Sequence, residues 1–188
     1  MRMLFRRYLS ALLQCVLLLA FLHPVHAQTA RREVGTPPEI VRLAFIDPLS
    51  GPFANAGESS LKHFRAAVET VNERVPLKAY RLSVRGFDNK ATVQDSLVQL
   101  QLAIDQGYRF IIQGQSSAAA LALSDAIAKH NARDPARAVL LLNYAALDPD
   151  LTESRCSFWH FRFDASVDMR VEALGGAIEK ARDVRAVY

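Results

Sequence analysis

After residue 40, strand-like and helix-like segments alternate along this 188-residue chain, and this alternation constrains the fold more than any other feature of the sequence. Short runs rich in β-branched, aromatic and other apolar residues lie at 40–46, 80–87, 108–112, 138–142, 158–163 and 184–188. Between them, apolar residues recur at helical spacing in 57–74, 92–107, 118–130 and 167–181. Short connections between such segments require right-handed crossovers between parallel strands. The alternation therefore predicts a doubly wound α/β fold, in which helices cover both faces of a parallel sheet.

The first 27 residues have the three parts of a secretory signal peptide. Three arginines stand near the start, an almost unbroken apolar stretch occupies 9–22, and Val25-His26-Ala27 offers small residues to a signal peptidase. The apolar stretch is shorter than the roughly 20 residues that span a bilayer, which favours cleavage after Ala27 over an uncleaved membrane anchor. We therefore predict a signal peptide at 1–27 and a periplasmic mature protein. Residues 28–39 contain turn-forming residues without apolar periodicity and predict a flexible leader.

Removal of the signal peptide changes what the charge implies. The whole chain has 23 basic and 19 acidic residues, a net charge of +4. The signal peptide holds three of the basic residues and no acidic ones, so the mature count is 20 basic against 19 acidic, a net charge of +1. A nearly neutral chain without a basic patch argues against a nucleic-acid partner. Cleavage also removes Cys15 and leaves Cys156 as the single cysteine, for which we expect a buried free thiol, with a missing disulfide partner as the alternative.

Three loops are expected to meet at the carboxyl edge of the predicted sheet, where ligands bind in folds of this class. They span 47–56, 113–117 and 143–150. The middle loop leads into a helix whose first turn has no acidic residue, whereas Glu58 and Asp95 lie near the starts of the two preceding helices. Ser116 and Ser117, together with free backbone N–H groups at this helix start, are suited to hold an anion such as a carboxylate. Ordinary N-capping by a serine is the alternative.

Sequence signatures of common enzymes are missing. The chain has no G-x-S-x-G nucleophile elbow, no phosphate-binding P-loop and no G-x-G-x-x-G dinucleotide fingerprint. The histidines lack the spacing of zinc ligands, and each is expected to be a surface or hydrogen-bonded core residue. Asp47, Asp88, Asp148 and Asp164 each follow a predicted strand, which is compatible with an acid–base cluster or with ordinary turn and capping chemistry. We predict no enzymatic activity, no cofactor and no metal, with a secreted α/β hydrolase as the alternative.

Several short motifs occur in the order and spacing typical of one protein family. They are the segment Asp47 to Ala54 with Gly57, Asp88-Asn89-Lys90, 112–117 with Ser124-Asp125, 143–152, and Phe161-Arg162. In these motifs the chain resembles the type I periplasmic solute-binding proteins of the branched-chain amino acid ABC transporter group, over nearly all of 40–188. The resemblance implies two α/β lobes that enclose a ligand and deliver it to an ATPase-driven permease in the inner membrane. An extracytoplasmic sensor of a signalling system is the alternative use of the same fold.

The resemblance also implies roles for particular residues. Ser116 and Ser117 would hold the carboxylate of the ligand, and Ser117 is the closer match to the binding serine of the family. Ala145 and Ala146 would meet an amino-acid head group through their backbone, and Leu147 stands where relatives often carry a threonine. The implied ligand is an amino acid or a related small carboxylate. Residues 40–163 would form the N-terminal lobe and 164–188 the start of a second lobe, so we expect the chain to be truncated before most of that lobe.

Overall fold

The structure, a computed structural model, describes residues 38–74 and 80–181. Its five strands are β1 (Glu39–Asp47), β2 (Tyr80–Asp88), β3 (Phe110–Gln113), β4 (Leu140–Asn143) and β5 (His160–Arg162). They form a parallel sheet in the order β2-β1-β3-β4-β5. The helices of the described ranges are α1 (Ala54–Arg74), α2 (Val93–Asp105), α3 (Ser117–Arg133) and α4 (Val167–Lys180), with short 3-10 helices at Pro135–Arg137 and Pro149–Leu151. This architecture confirms the predicted doubly wound α/β fold.

Three predictions fall wholly or largely outside the described residues: the signal peptide at 1–27, the leader at 28–39 and the last strand at 184–188. At the end of the leader the prediction was wrong, because Glu39 already belongs to β1 and pairs with Tyr80 of β2. The expectation of a buried thiol was also wrong, because Cys156 is a free cysteine on the surface. Within the described ranges, no helix combines the length and the apolar character needed to cross a membrane.

Alternate residues along the strands pack against helices on opposite faces of the sheet, because successive side chains of a strand point in opposite directions. On one face, Ala44, Ile111 and Leu141 are fully buried in a cluster with residues of α2 and α3. On the other face, Phe45 and Ile112 are buried in a cluster with residues of α1. Burial of a large side chain of this kind contributes about 1.5–3 kcal/mol. The two clusters therefore hold helices on both sides of the central strands.

The order of the strands places a topological switch point between β1 and β3. The crossover from β1 to β2 runs in one direction along the sheet, and the crossover from β2 to β3 runs in the other. Right-handed crossovers in opposite directions lie on opposite faces, which explains why α1 covers one face while α2 and α3 cover the other. The loops that leave β1 and β3 therefore diverge at the carboxyl edge. The crevice between them is where ligands bind in folds of this class.

Helix α1 begins three residues before its predicted start. The backbone N–H of Ala54 donates to the carbonyl oxygen of Gly51 at 3.1 Å, and the helix runs from Ala54 instead of Gly57. Gly57 therefore lies in the first turn, pressed against the loop that follows β1. A Cβ at this position would lie 1.7 Å from the carbonyl oxygen of Pro48. The missing side chain lets α1 lie directly on that loop.

Helix α4 is attached to the rest of the molecule mainly at its start. Ser166 is its N-cap and accepts a hydrogen bond from the backbone N–H of Met169 at 3.3 Å. The backbone N–H of Val167 donates to the carbonyl oxygen of Leu147 at 3.0 Å. None of the helix residues is buried, and Leu174 is 60% exposed. The helix thus follows the loop after β4 without joining either core cluster.

Candidate functional site

A buried carboxylate joins three strand ends at the switch-point crevice. Asp47, the last residue of β1, is fully buried. Its carboxylate accepts hydrogen bonds from the backbone N–H groups of Gly114 (3.1 Å) and Gln115 (3.2 Å), which follow β3. The side-chain amide of Gln113 donates at 3.2 Å, and the hydroxyl of Tyr144, just after β4, donates at 2.9 Å. The four donors match the acceptor positions of one carboxylate.

The two aspartates that end β1 and β2 are register partners but differ in their pKa. Burial raises the pKa of Asp47 from 3.8 to about 6, although its hydrogen bonds act in the opposite direction. The pKa of Tyr144 is raised by burial and by the nearby charge of Asp47. Burial also acts to raise the pKa of Asp88, but hydrogen bonds from the Ser50 hydroxyl and the Leu49 N–H outweigh it and lower that pKa. Only Asp47 therefore combines deep burial with a pKa near neutrality among the described carboxyl groups whose pKa is shifted.

The other two aspartates that follow strands have local structural partners. Asp148 caps a 3-10 helix by accepting from the backbone N–H of Asp150 at 3.0 Å, and Asp164 forms an ion pair with Arg170. Of the two alternatives for these aspartates, turn and capping chemistry is the one that the contacts support. Within the described part of the chain, no three His, Cys, Asp or Glu side chains are grouped to hold a metal. The histidines at 63, 130 and 160 each lie within hydrogen-bond distance of a backbone carbonyl, as predicted.

Both predicted serines lie at the start of α3. Ser116 is the N-cap, and its hydroxyl oxygen accepts from the backbone N–H of Ala119 at 3.2 Å. Ser117 is the first residue of the helix, and its hydroxyl oxygen accepts from the backbone N–H of Asp148 at 3.3 Å, across to the loop after β4. In the described part of the chain, no atom accepts a hydrogen bond from the backbone N–H of Ser117 or Ala118. Capping thus accounts for the Ser116 oxygen and leaves two backbone donors at the helix start.

The absence of an acidic first turn does not distinguish α3 from α1, contrary to the sequence argument. Because α1 begins at Ala54, Glu58 lies beyond its first turn, and that turn contains no acidic residue either. At the start of α1, however, only the N–H of Asn55 has no acceptor among the described residues. At the start of α2 the N–H groups of Val93 and Gln94 are also unpaired, but Asp95 lies in that first turn. Among the described helices, α3 combines two unpaired N–H groups with a first turn that has no acidic residue.

The loop after β4 is held from inside by an asparagine. Asn143 is fully buried, and its side-chain oxygen accepts from the backbone N–H groups of Ala145 (3.1 Å) and Ala146 (2.7 Å). Its side-chain amide donates to the carbonyl oxygen of Ala146 at 3.0 Å. Ala146 is buried against Ala120 of α3, whereas Ala145 and Leu147 are half-buried. The backbone of Ala146 is thus fully engaged, while the carbonyl of Ala145 accepts no hydrogen bond within the described residues.

A cavity of about 220 Å³ opens beside Ser116. Its walls are formed by the loops after the first three strands, through Pro48, Phe53, Asn89, Ala91, Gln115 and Ser116. The loop after β2 is tightly folded here, because Lys90 and Ala91 both have left-handed backbone angles (φ 49° and 60°). Hydrogen bonds from their N–H groups to the side chains of Asp88 and Asn89 hold this turn. The cavity lies at the switch point described above.

Residues 40–188 match the family model described as periplasmic binding protein. The chain belongs to the periplasmic binding protein family. Leu/Ile/Val-binding protein homolog 4 of Brucella abortus (strain 2308) is 31% identical over 144 residues, which cover 74% of this chain and 34% of the relative. The chain therefore spans about a third of that relative's length. The family is one of binding proteins, in agreement with the prediction of no enzymatic activity.

Solved periplasmic binding proteins share the fold. The crystal structure of the leucine-, isoleucine-, valine-, threonine- and alanine-binding protein from Brucella ovis, in the closed conformation, aligns with a TM-score of 0.64 and 27% identity, over 76% of this chain and 37% of that one. A periplasmic binding protein from Burkholderia mallei aligns with a TM-score of 0.60 and 21% identity, over 76% of this chain and 36% of that one. The family resemblance seen in the sequence motifs is confirmed.

The structure of this periplasmic binding protein chain divides the predicted site residues into two groups. Ser116 shares the cavity with the loops after β1 and β2, and Ser117 links the start of α3 to the loop that contains Ala145, Ala146 and Leu147. Sequence reasoning missed the cavity residues Phe53 and Asn89 and the supporting residues Gln113, Asn143 and Tyr144. A signal was available, because four of them lie at or next to the carboxyl end of a strand and Phe53 lies in the loop that follows β1.

Proposed function

We propose that the chain belongs to the extracytoplasmic solute-binding component of an ABC importer and captures a small carboxylate-bearing solute, an amino acid or a related compound. The observation that carries the proposal is the start of α3, where the unpaired N–H groups of Ser117 and Ala118 directly follow Ser116, which lines the cavity at the switch point. A helix start of this kind presents donors and partial positive charge to an anion. Hydrogen bonds to a charged group contribute about 1.5–3 kcal/mol each.

The serine hydroxyls add to this receptor. Each hydroxyl oxygen accepts one hydrogen bond, from Ala119 to Ser116 and from Asp148 to Ser117, and its own hydrogen is left for an acceptor. Two backbone N–H groups and two hydroxyl groups can therefore donate to one carboxylate. Ser117 has the more direct position, because its own N–H and its hydroxyl belong to the same residue at the helix start.

The loop after β4 supplies the second part of the proposed site. The carbonyl oxygen of Ala145 accepts nothing among the described residues, so it is available to an ammonium group. Ala146 contributes by fixing the loop, since Asn143 engages its backbone, and half-buried Leu147 offers apolar surface in place of a hydroxyl. These contacts support an amino acid with an apolar side chain as the first solute to test.

The remaining parts of the proposal rest on the relatives. The Brucella relatives are named for binding leucine, isoleucine and valine, and this chain covers about a third of their length. In our proposal 40–163 forms the N-terminal lobe, 164–188 begins the second lobe, and an inner-membrane ABC permease receives the solute. The predicted signal peptide at 1–27 would place the protein in the periplasm.

Solute capture can be tested by NMR, because weak binding to one lobe is measurable at millimolar solute. The ¹⁵N-labelled chain is titrated with L-leucine, with isocaproate, which lacks the ammonium group, and with isoamylamine, which lacks the carboxylate. We expect L-leucine and isocaproate, but not isoamylamine, to shift the amide resonances of Ser117 and Ala118. Equal shifts with the amine, or shifts confined to other regions, would show that this helix start does not bind the carboxylate.

A pair of charge variants provides the control. Ser117→Asp places a carboxylate in the proposed anion site and should abolish the response to L-leucine. Gln94→Asp adds the same charge in the exposed first turn of α2, where an acidic residue is favourable. Gln94→Asp should keep the response, so unchanged binding by Ser117→Asp would remove this residue from the site.

A further inference from the structure

Asp47 is the group through which the core of the sheet contacts the proposed solute-binding loop. We infer that Asp47 is a positioning residue, which holds the 113–117 loop in its binding shape and couples its own protonation to solute capture. The positioning role stands on the contacts alone, and the coupling rests on the function proposed above. Asp47 itself lies beneath the loop and touches no solute.

The geometry of the loop supports a positioning role. Two consecutive backbone N–H groups, those of Gly114 and Gln115, point inward to the two oxygens of the same carboxylate. Two residues later, the N–H groups of Ser117 and Ala118 have no acceptor among the described residues. The hydrogen bonds of Gly114 and Gln115 to Asp47 fix the peptide planes of the loop. The turn that follows then presents the N–H groups of Ser117 and Ala118 to a solute.

The loop has little space in which to adopt another shape. Gly114 is buried, and a Cβ at this position would lie 2.7 Å from the ring of Tyr144 and 2.8 Å from the backbone nitrogen of Ala145. The Tyr144 hydroxyl in turn donates to Asp47 and accepts from the side chain of Gln115 at 3.1 Å. The carboxylate, the ring and the loop are thus packed as one unit.

The number of donors explains why an acid is suited to this position. A carboxylate accepts from the four donors at once, whereas a protonated acid or an amide presents a hydrogen to one of them. The two backbone N–H groups cannot accept, so a hydrogen of protonated Asp47 can be accepted by the Tyr144 hydroxyl or, after rotation of the side-chain amide, by the buried and unpaired Oε1 of Gln113. Protonation is therefore accommodated at these side chains while the N–H bonds of Gly114 and Gln115 remain.

A second negative charge at this site disfavours ionised Asp47. The solute carboxylate would occupy the outer side of the loop whose inner side faces Asp47, so the two like charges repel across it. Among the described groups near Asp47, Tyr144 is the titratable contact from the loop after β4, while Asp88 of β2 directs its carboxylate to Leu49, Ser50 and Lys90. The 113–117 loop and the first turn of α3 contain no titratable side chain. Helix α1 contacts the cluster through two residues that do not titrate, Ser60 beside Gln115 and Phe64 against the ring of Tyr144. Solute capture should therefore strengthen as the pH falls, because binding and protonation are linked.

The first experiment uses no solute. The amide resonances of Gly114 and Gln115 in the ¹⁵N-labelled chain are followed from about pH 4.5 to pH 7.5, and both should titrate with a midpoint near 6. The titration should disappear in Asp47→Asn and persist in the register-partner control, Asp88→Asn. Tyr144→Phe, which removes a hydrogen bond that favours the charged form, should move the midpoint upward even if Asp47→Asn does not fold. Amides that do not titrate, or a midpoint unmoved in Tyr144→Phe, would overturn the inference.

The second experiment measures L-leucine binding at about pH 5 and pH 7.5. The parent chain and Asp88→Asn should bind roughly fivefold more tightly at the lower pH, a coupling of ordinary size, and Asp47→Asn should show no such difference. Binding that is independent of pH in the parent chain would overturn the coupling and leave solute capture standing. Loss of binding at both pH values with the amide titration intact would overturn the proposed function and support the positioning role.

Discussion

Replacing Gly57 with alanine tests how closely α1 lies on the loop after β1. The new Cβ would lie 1.7 Å from the Pro48 carbonyl oxygen, whereas real Cβ atoms keep at least 3.0 Å from such a neighbour. Helix and loop must therefore separate by 3.0 − 1.7 = 1.3 Å or more. Overpacking of this kind costs up to about 3 kcal/mol, and no rotamer change can relieve a clash with backbone. Alanine also favours the helix by about 1 kcal/mol, so we expect a net loss of about 2 kcal/mol.

Urea denaturation of Gly57→Ala measures this loss, with the fluorescence of the single tryptophan, Trp159, as a probe that packs against the core. Gly176→Ala is the matched control, because a Cβ on that helical glycine would have no neighbouring atom within 4 Å. Because α4 buries no side chain, the control should unfold at the same urea concentration as the parent chain. A Gly57→Ala chain as stable as the control would refute the close contact between α1 and Pro48.

Three further predictions concern stability and can be measured by urea denaturation. Asn131→Ala leaves the N–H and the carbonyl of buried Val139 without partners and should cost about 2–4 kcal/mol. Asn72→Ala removes the same two bonds from half-buried Leu82 and should cost about 1 kcal/mol. Ser116→Ala should cost about 1 kcal/mol through loss of the α3 cap, and no loss would contradict the capping contact. The raised pKa of Asp47 means that the folded protein holds this proton more tightly than the unfolded chain. Its stabilising contribution is complete below pH 3.8 and is lost as the pH rises through about 6, by about 3 kcal/mol. The stability of the parent chain relative to Asp47→Asn should fall by about 2.5 kcal/mol of this total between about pH 4 and pH 7.5, since the lowered pKa of His160 affects both chains alike.

The sequence predicted the elements of the fold because their apolar periodicity is local. Its errors about helices and strands lie at their ends, where a single hydrogen bond decides which residue is the last of the element. Tyr108 was assigned to a strand, but its backbone N–H donates to the carbonyl oxygen of Ala103 at 3.0 Å and completes the turn that ends α2. Gly107, with φ of 81°, was correctly identified as the helix-ending residue, because glycine readily adopts this left-handed conformation.

The candidate site was predictable only where its residues are neighbours in sequence. Ser116 and Ser117 adjoin the helix that they begin, so a loop motif identified them. Asp47, Gln113 and Tyr144 lie in loops that were expected to meet, but the contacts between these side chains were not predicted, because Asp47 is 66 residues from Gln113 and 97 residues from Tyr144 along the chain. Contacts over such separations follow from strand order, which the alternation of strands and helices does not specify.

The exposure of α4 predicts that this helix frays while the sheet stays folded. A helix of 14 residues that buries no side chain depends on its own hydrogen bonds and its cap, and such helices are marginal in water. Amide hydrogens of α4 should therefore exchange with deuterium through local fraying, far faster than those of Ile111 and Leu141 in the core strands. We therefore expect the cooperative folding unit of the described residues to end before Val167, and the helix that follows to behave as a tethered segment with its own helix–coil equilibrium.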